Sequence, residues 1–140
     1  MSIVVKPSDL PSSIELQGRP PIGWVLSKGA PEVLLVKCKS FLQESSSSML
    51  DEFFHSQVTQ SVDEMSDSGL RVLALAIKPL YDQELLERIK IYEQNPEAEP
   101  ESLYKDIEAD MILVGIVGLL DPPRSGVSQS IEDCFMAGIK

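Results

Sequence analysis

Leu70-Arg71-Val72-Leu73-Ala74-Leu75-Ala76-Ile77 and Met111-Ile112-Leu113-Val114-Gly115-Ile116-Val117-Gly118-Leu119-Leu120 decide the fold class of this chain. Each is an almost unbroken apolar run, the first interrupted only by Arg71. Runs of this length and composition read as strands buried on both faces, so both are expected near the centre of a sheet. Between them, Asp82 to Gln94 carries charged residues over Leu85, Leu86, Ile89 and Tyr92, which predicts a helix that Asn95-Pro96 breaks.

On the amino-terminal side, Ser2-Ile3-Val4-Val5 and Gly23-Trp24-Val25-Leu26 read as two neighbouring strands across a turn-rich connection through Pro7, Pro11, Pro20 and Pro21. After Gly29, the set Val33, Leu34, Val36, Cys38, Phe41 and Leu42 predicts a helix from Pro31 to Leu42, with proline at its favoured first position. Ser45 to Ser48 reads as a solvated loop that also offers a helix cap. A second helix is expected over Ser48 to Met65, because Leu50, Phe53, Phe54, Val58, Val62 and Met65 recur at helical spacing and form a core face, with Gly69 beyond its end. A last amphipathic helix places Val127, Ile131, Cys134 and Phe135 on one stripe and stops at Gly138. Glu97, Glu99 and Glu101 form an acidic loop without calcium-loop spacing.

A chain of 140 residues buries roughly 68% of its unfolded surface, enough for one domain with a core plus an appendage. With 43% hydrophobic and 24% charged residues, the composition is that of a folded globular protein rather than a disordered or fibrous one. Twelve basic against 22 acidic residues give a net charge of −10, which repels nucleic-acid phosphates and anionic lipid headgroups, so no nucleic-acid partner is expected. An acidic body still holds one anionic ligand where a few Lys, Arg and backbone N–H groups converge. Cys38 and Cys134 have no metal-site or redox spacing and read as two reduced thiols. No run of about eighteen apolar residues and no signal-peptide pattern is found.

Three places are candidates for chemistry. Lys28 ends a predicted strand, and Gly29 and Ala30 after it leave room for a ligand to approach backbone, which suits an anion or an adenine-sized ring. The alternative is one exposed lysine on a strand-to-helix turn. Arg71 is a charge inside an apolar strand and calls for an anion, either a ligand or one of the many carboxylates. Asp121-Pro122-Pro123-Arg124 follows a strand with two residues of fixed φ, which makes a stiff connection to the last helix. His55, the single histidine, reads as a helical surface or half-buried residue, and no Ser-His-Asp set can be built without it. Neither glycine-rich phosphate-binding fingerprint occurs.

Lys28-Gly29-Ala30-Pro31-Glu32, the Gly69 to Ala76 run and Val114 to Arg124, in this order, resemble the P-type ion-pumping ATPases. With Cys134-Phe135-Met136-Ala137-Gly138-Ile139, the pattern is most similar to the sarco/endoplasmic-reticulum-type calcium pumps. Residues before Trp24 and between Lys78 and Asp110 resemble nothing specific. The resemblance implies an α/β fold, a partial nucleotide-binding domain with an antiparallel or mixed sheet of about four strands flanked by helices. It implies the carboxy-terminal part of that domain over 1–120, a hinge at Asp121, Pro122, Pro123 and Arg124, and the first helix of the phosphorylation domain over 125–140. It also implies ATP at Lys28, Gly29, Ala30, Arg71 and Leu73, with Mg2+ bound mainly by parts of a parent pump outside this chain.

The expected role is to hold ATP for phosphoryl transfer to an aspartate elsewhere, on the cytosolic face of an endoplasmic-reticulum membrane, with the remaining pump domains as partners. No Asp-Lys-Thr-Gly motif is present, so the chain alone is expected to be inactive. The family's adenine-stacking aromatic precedes the region corresponding to Ser2, which leaves about half of a pocket wall here. The helix of 125–138, separated from the domain it packs on, is expected to self-associate. A rival reading is a non-catalytic acidic α/β interaction module that docks a partner through Asp82 to Gln94 or the last helix.

Overall fold

The computed structural model describes residues 1–9, 20–43, 46–95 and 102–139. In chain order the elements are β1 (Ser2–Val5), a single 3-10 turn, β2 (Gly23–Gly29), α1 (Pro31–Leu35), β3 (Cys38–Gln43) and β4 (Ser46–Met49). They continue with α2 (Glu52–Asp67), β5 (Arg71–Leu80), α3 (Gln83–Gln94), α4 (Ser102–Ile107), β6 (Met111–Leu119) and α5 (Val127–Met136). The strands form one mixed sheet in the order β1-β2-β5-β6-β3-β4. Only the β3–β6 pair is parallel. The two apolar runs are thus the two central strands, as their composition requires.

The two faces of the sheet differ. On one, α1 to α4 cover Val25, Ala74, Ala76, Leu80, Met111 and Leu113, with Leu34, Leu35, Leu85, Ile89, Leu103 and Ile107 contributed from the helices. Leu103 and Met111 are 1% and 0% exposed, so the short α4 anchors this core. The second cluster holds only strand residues: Trp24, Ile77 and Ile112, flanked by Val5, Leu26 and Leu42. Among the described residues no helix packs on this second face, and it is left open toward the Arg71 end of β5.

Caps follow local chemistry. Asp51 accepts from the Phe54 N–H at 2.8 Å to start α2, and Asp82 accepts from Glu84 at 2.9 Å to start α3. Gly69, at φ +77°, ends α2 as its position suggested, and the Leu70 N–H returns to the Met65 carbonyl at 3.1 Å.

Several expectations are corrected. The sheet has six strands rather than about four. The helix expected over Pro31 to Leu42 stops at Leu35, and Cys38–Gln43 is β3, because apolar residues that fit helical spacing also fit a strand and pairing beside β6 decides between them. Ser46 to Ser48 of the serine patch belong to an edge strand rather than a loop, Ser45 lies outside the described residues, and the cap of α2 is Asp51. Phe53 does not belong to the core face, being 71% exposed. Neither central strand is buried on both faces over its whole length, since Arg71 of β5 and Val114, Val117 and Leu119 of β6 are exposed. The acidic loop lies outside the described residues, except that α4 begins at Ser102. No helix among the described residues is long and apolar enough to cross a membrane.

Candidate functional site

Register brings Lys28, Arg71 and Leu73, three of the five candidate nucleotide residues, to the open face. Residues directly opposite one another in an antiparallel pair share a face, and every second residue along a strand returns to it. Lys28 stands opposite Leu75, and Leu26 opposite Ile77. Leu75 stands opposite Gly115, Leu73 opposite Val117 and Arg71 opposite Leu119. Lys28, Leu75, Leu73 and Arg71 therefore occupy one surface, with Arg71 about 13 Å from Leu75 along β5 at about 3.3 Å per residue.

Beside Lys28 this face holds a cavity of about 350 Å³, lined by Ile3, Leu26, Lys28, Leu75, Ile77 and Val114 among others. The wall is mostly apolar, and among the described residues Lys28 supplies its one charged side chain, with the Met1 ammonium donating to the Lys28 carbonyl at 3.0 Å. Among the described residues, neither the Lys28 ammonium nor the Arg71 guanidinium has an ion-pair partner. Arg71 is exposed at the first position of β5, so water satisfies it and the burial cost expected for a charge within an apolar run does not arise. The carboxylate-pairing alternative for Arg71 is likewise not realised among the described residues.

Gly29 and Ala30 stand differently. Gly29 is opposite Ala74, which belongs to the helix-covered face, so register does not put it beside Lys28 on the open one. A Cβ built at Gly29 meets nothing within 4 Å, so the space expected there exists. Ala30 is extended at φ −60° and ψ 135°, and its carbonyl accepts from Val33 and Leu34 to open α1. With five residues, α1 is too short for its N-terminus to form an anion site.

A larger cavity of about 510 Å³ lies at the other side, near Lys37, Lys39, Lys105, Glu108 and Asp110. Two of its three lysines are paired with carboxylates. Lys37 pairs with Glu108, and Lys39 with Asp110 at 2.6 Å. Burial raises the Glu108 pKa, but hydrogen bonds from Lys37 and Ser2 and the nearby positive charges outweigh it and hold the carboxyl below its ordinary value. Ser2 also bonds the buried Ser27 at 2.7 Å, which ties β2 next to Lys28 to the turn before β6. This is a structural network, and Lys105 is the lining lysine without an ion-pair partner among the described residues.

Asp121, Pro122, Pro123 and Arg124 are all exposed and outside regular structure, between β6 and α5. Helix α5 has no buried residue, and Val127, Ile131 and Phe135 are exposed along its stripe. His55 is half-buried on α2. Cys38 is buried, its thiol donating to the Leu34 carbonyl at 3.3 Å, and burial pushes its pKa up to about 11, so it is an inert core residue. Among the described residues no three His, Cys, Asp or Glu side chains converge to hold a metal ion.

A family model for the P-type ATPase cytoplasmic domain N matches residues 1–126. The chain belongs to that family. It is 34% identical over 119 residues to the endoplasmic reticulum calcium ATPase srcA of Aspergillus fumigatus, covering 83% of this chain and 11% of that protein. It is 37% identical over 118 residues to the endoplasmic reticulum-type calcium-transporting ATPase 2 of Arabidopsis thaliana, with the same coverage. A P-type sodium-transporting ATPase4 of Plasmodium falciparum is 33% identical over 123 residues, covering 82% of this chain and 10% of that protein. This domain N chain thus spans about a tenth of the length of the relatives it matches.

Sequence reasoning missed Leu26, Leu75, Ile3 and Val114 as lining residues of the domain N surface. The alternation Arg71, Leu73, Leu75 was there to be read, but an unbroken apolar run hides which of its two faces stays uncovered.

Proposed function

We propose that this domain N chain supplies part of an ATP-binding wall on its open sheet face. Lys28 and Arg71 meet the anionic phosphates or the polar edge of the base, while Leu73 and Leu75 lie under the ring. Gly29 and Ala30 keep the backbone beside Lys28 accessible. The observation that carries this reading is the register that sets two cations, unpaired among the described residues, and two leucines on the face that no described helix covers. In an acidic chain of net charge −10, such a pair is where an anion is held.

The family supports the following reading of the whole protein. The nucleotide held here is delivered for phosphoryl transfer to an aspartate of a parent pump, with Mg2+ bound mainly elsewhere in that parent, and drives calcium transport across an endoplasmic-reticulum membrane. Residues 1–120 are the nucleotide-binding part, Asp121 to Arg124 the hinge, and 125–140 the first helix of the phosphorylation domain. The exposed stripe of α5 supports that division, because a helix with no buried residue lacks its packing partner in this chain. The same stripe makes self-association of the isolated chain an expected side effect.

Binding is weak, in the millimolar range or about −4 kcal/mol, since the described lining offers no aromatic ring to stack on a base. Equilibrium dialysis with ATP tests it. Saturable millimolar binding that Arg71→Ala weakens is expected, and no saturation, or binding indifferent to that substitution, overturns the assignment.

A further inference from the structure

Away from the strand ends, where Gly23 and Gly29 bound β2, the described strands hold two glycines, Gly115 and Gly118 of β6, and only one has a structural reason to be glycine. At Gly118 a Cβ would stand 2.8 Å from Leu70 Cδ1 and 3.3 Å from its Cβ, so packing excludes a side chain. At Gly115 a Cβ meets nothing within 4 Å, and its φ is not in the left-handed region. Glycine in a strand interior costs chain entropy and gives up a side chain that could pack. Neither sterics nor backbone conformation asks for that cost at Gly115.

Its neighbours show what the bare position does. Gly115 is opposite Leu75, which is opposite Lys28, so the three form one row across the open face: a cation, a leucine and a half-buried bare backbone. The β5–β6 register slips between Leu75 and Ala76, leaving Val114 as the extra residue. Such a bulge re-aims side chains next to a site. Val114 consequently borders both the Lys28 cavity and a second one of about 390 Å³ beside α2, which Gly115 also borders. A side chain at Gly115 would stand at this junction, at the end of the row that starts with Lys28.

We propose that Gly115 is a specificity-determining residue that keeps the Lys28–Leu75–Gly115 row clear for the flat base of a nucleotide. This rests on the ATP reading above and deepens it. The phosphates, held by cations, do not need the clearance. Gly115→Val separates the two parts of the ligand, because valine suits a strand and the backbone there accepts it.

The test combines thermal melting with titration of ATP and of inorganic triphosphate. The valine variant should melt at or above the parent temperature, lose about tenfold or more in ATP affinity, and bind inorganic triphosphate unchanged. Opposed movements of stability and ATP affinity are not what a merely structural glycine gives. Unchanged ATP affinity in a folded variant overturns the proposal while leaving the ATP site standing. Equal loss for both ligands overturns it too, by showing a general disturbance of the cations. If the unsubstituted chain binds no ATP, the underlying reading itself fails. Should the valine variant not fold, Gly115→Ala must show a smaller loss of the same selectivity, and its absence counts against the proposal.

Discussion

Lys28→Ala should weaken ATP binding without touching the fold. The ammonium is exposed and unpaired among the described residues, so its removal changes stability by no more than about 0.5 kcal/mol. Its value to a bound anion lies between two limits. An ion contact at about 4 Å is worth about 1 kcal/mol in bulk water and about 4 kcal/mol at an effective dielectric of 20. Lys28 stands at the rim of an apolar cavity with Ile3, Leu26, Leu75 and Val114 in the wall, which puts it between those limits. A loss of about 1.5–3 kcal/mol follows, consistent with one charge-assisted hydrogen bond and equal to roughly 10- to 150-fold in Kd. Titration calorimetry at rising salt measures it. The gap between parent and variant should narrow as the screening length shrinks from about 10 Å at 0.1 M to about 3 Å at 1 M. Equal affinities at low salt, or a gap that salt does not move, would refute the reasoning.

Three further outcomes bear on the fold and its boundaries. Leu103→Ala removes a side chain that is 1% exposed in the helix-covered core and should cost about 2–5 kcal/mol by denaturant unfolding; a loss below 1 kcal/mol would mean that α4 does not anchor the sheet. Glu108 titrates below its ordinary value of 4.5 in the folded chain, so its contribution is present above that pH and is lost as pH falls through the folded value. Urea midpoints should therefore drop on acidification below about 4.5, and Glu108→Gln should flatten that limb; an unaltered limb contradicts the role of the Lys37 pair. Ile131→Glu, at a half-exposed position on α5, should abolish self-association in sedimentation and leave the unfolding midpoint in place. Global unfolding would instead make α5 part of this domain's own core and move the boundary away from Asp121.

What could be read in advance divides along physical lines. Leu70 to Ile77 and Met111 to Leu120 announced themselves because strands at the centre of a sheet exclude polar residues, and they are β5 and β6. Asp82 and Gly69 were legible as helix boundaries because capping is local chemistry. Val33 to Leu42 was not, since Cys38, Phe41 and Leu42 satisfy helical spacing yet find their partners in the adjacent β4 and in β6, the latter far along the chain. The six-residue α4 carried too short a pattern to register, although it buries Leu103 and Ile107. Lys28 and Arg71 stood out as residue types, but their common face depends on the β2–β5 register, which only tertiary pairing sets. The slip that frees Val114, and the vacancy beside Gly115, had no signature in composition at all.

Backbone amide shifts recorded while ATP is added to the isotopically labelled chain test the central claim most directly. The account predicts shifts gathered on the open face, at Lys28 to Ala30, Arg71 to Leu75 and Val114 to Val117, with Leu103, Ile107 and Met111 under the helices unmoved. Shifts centred instead on the Lys37, Lys39 and Lys105 cavity, or scattered over the acidic surface, would contradict it.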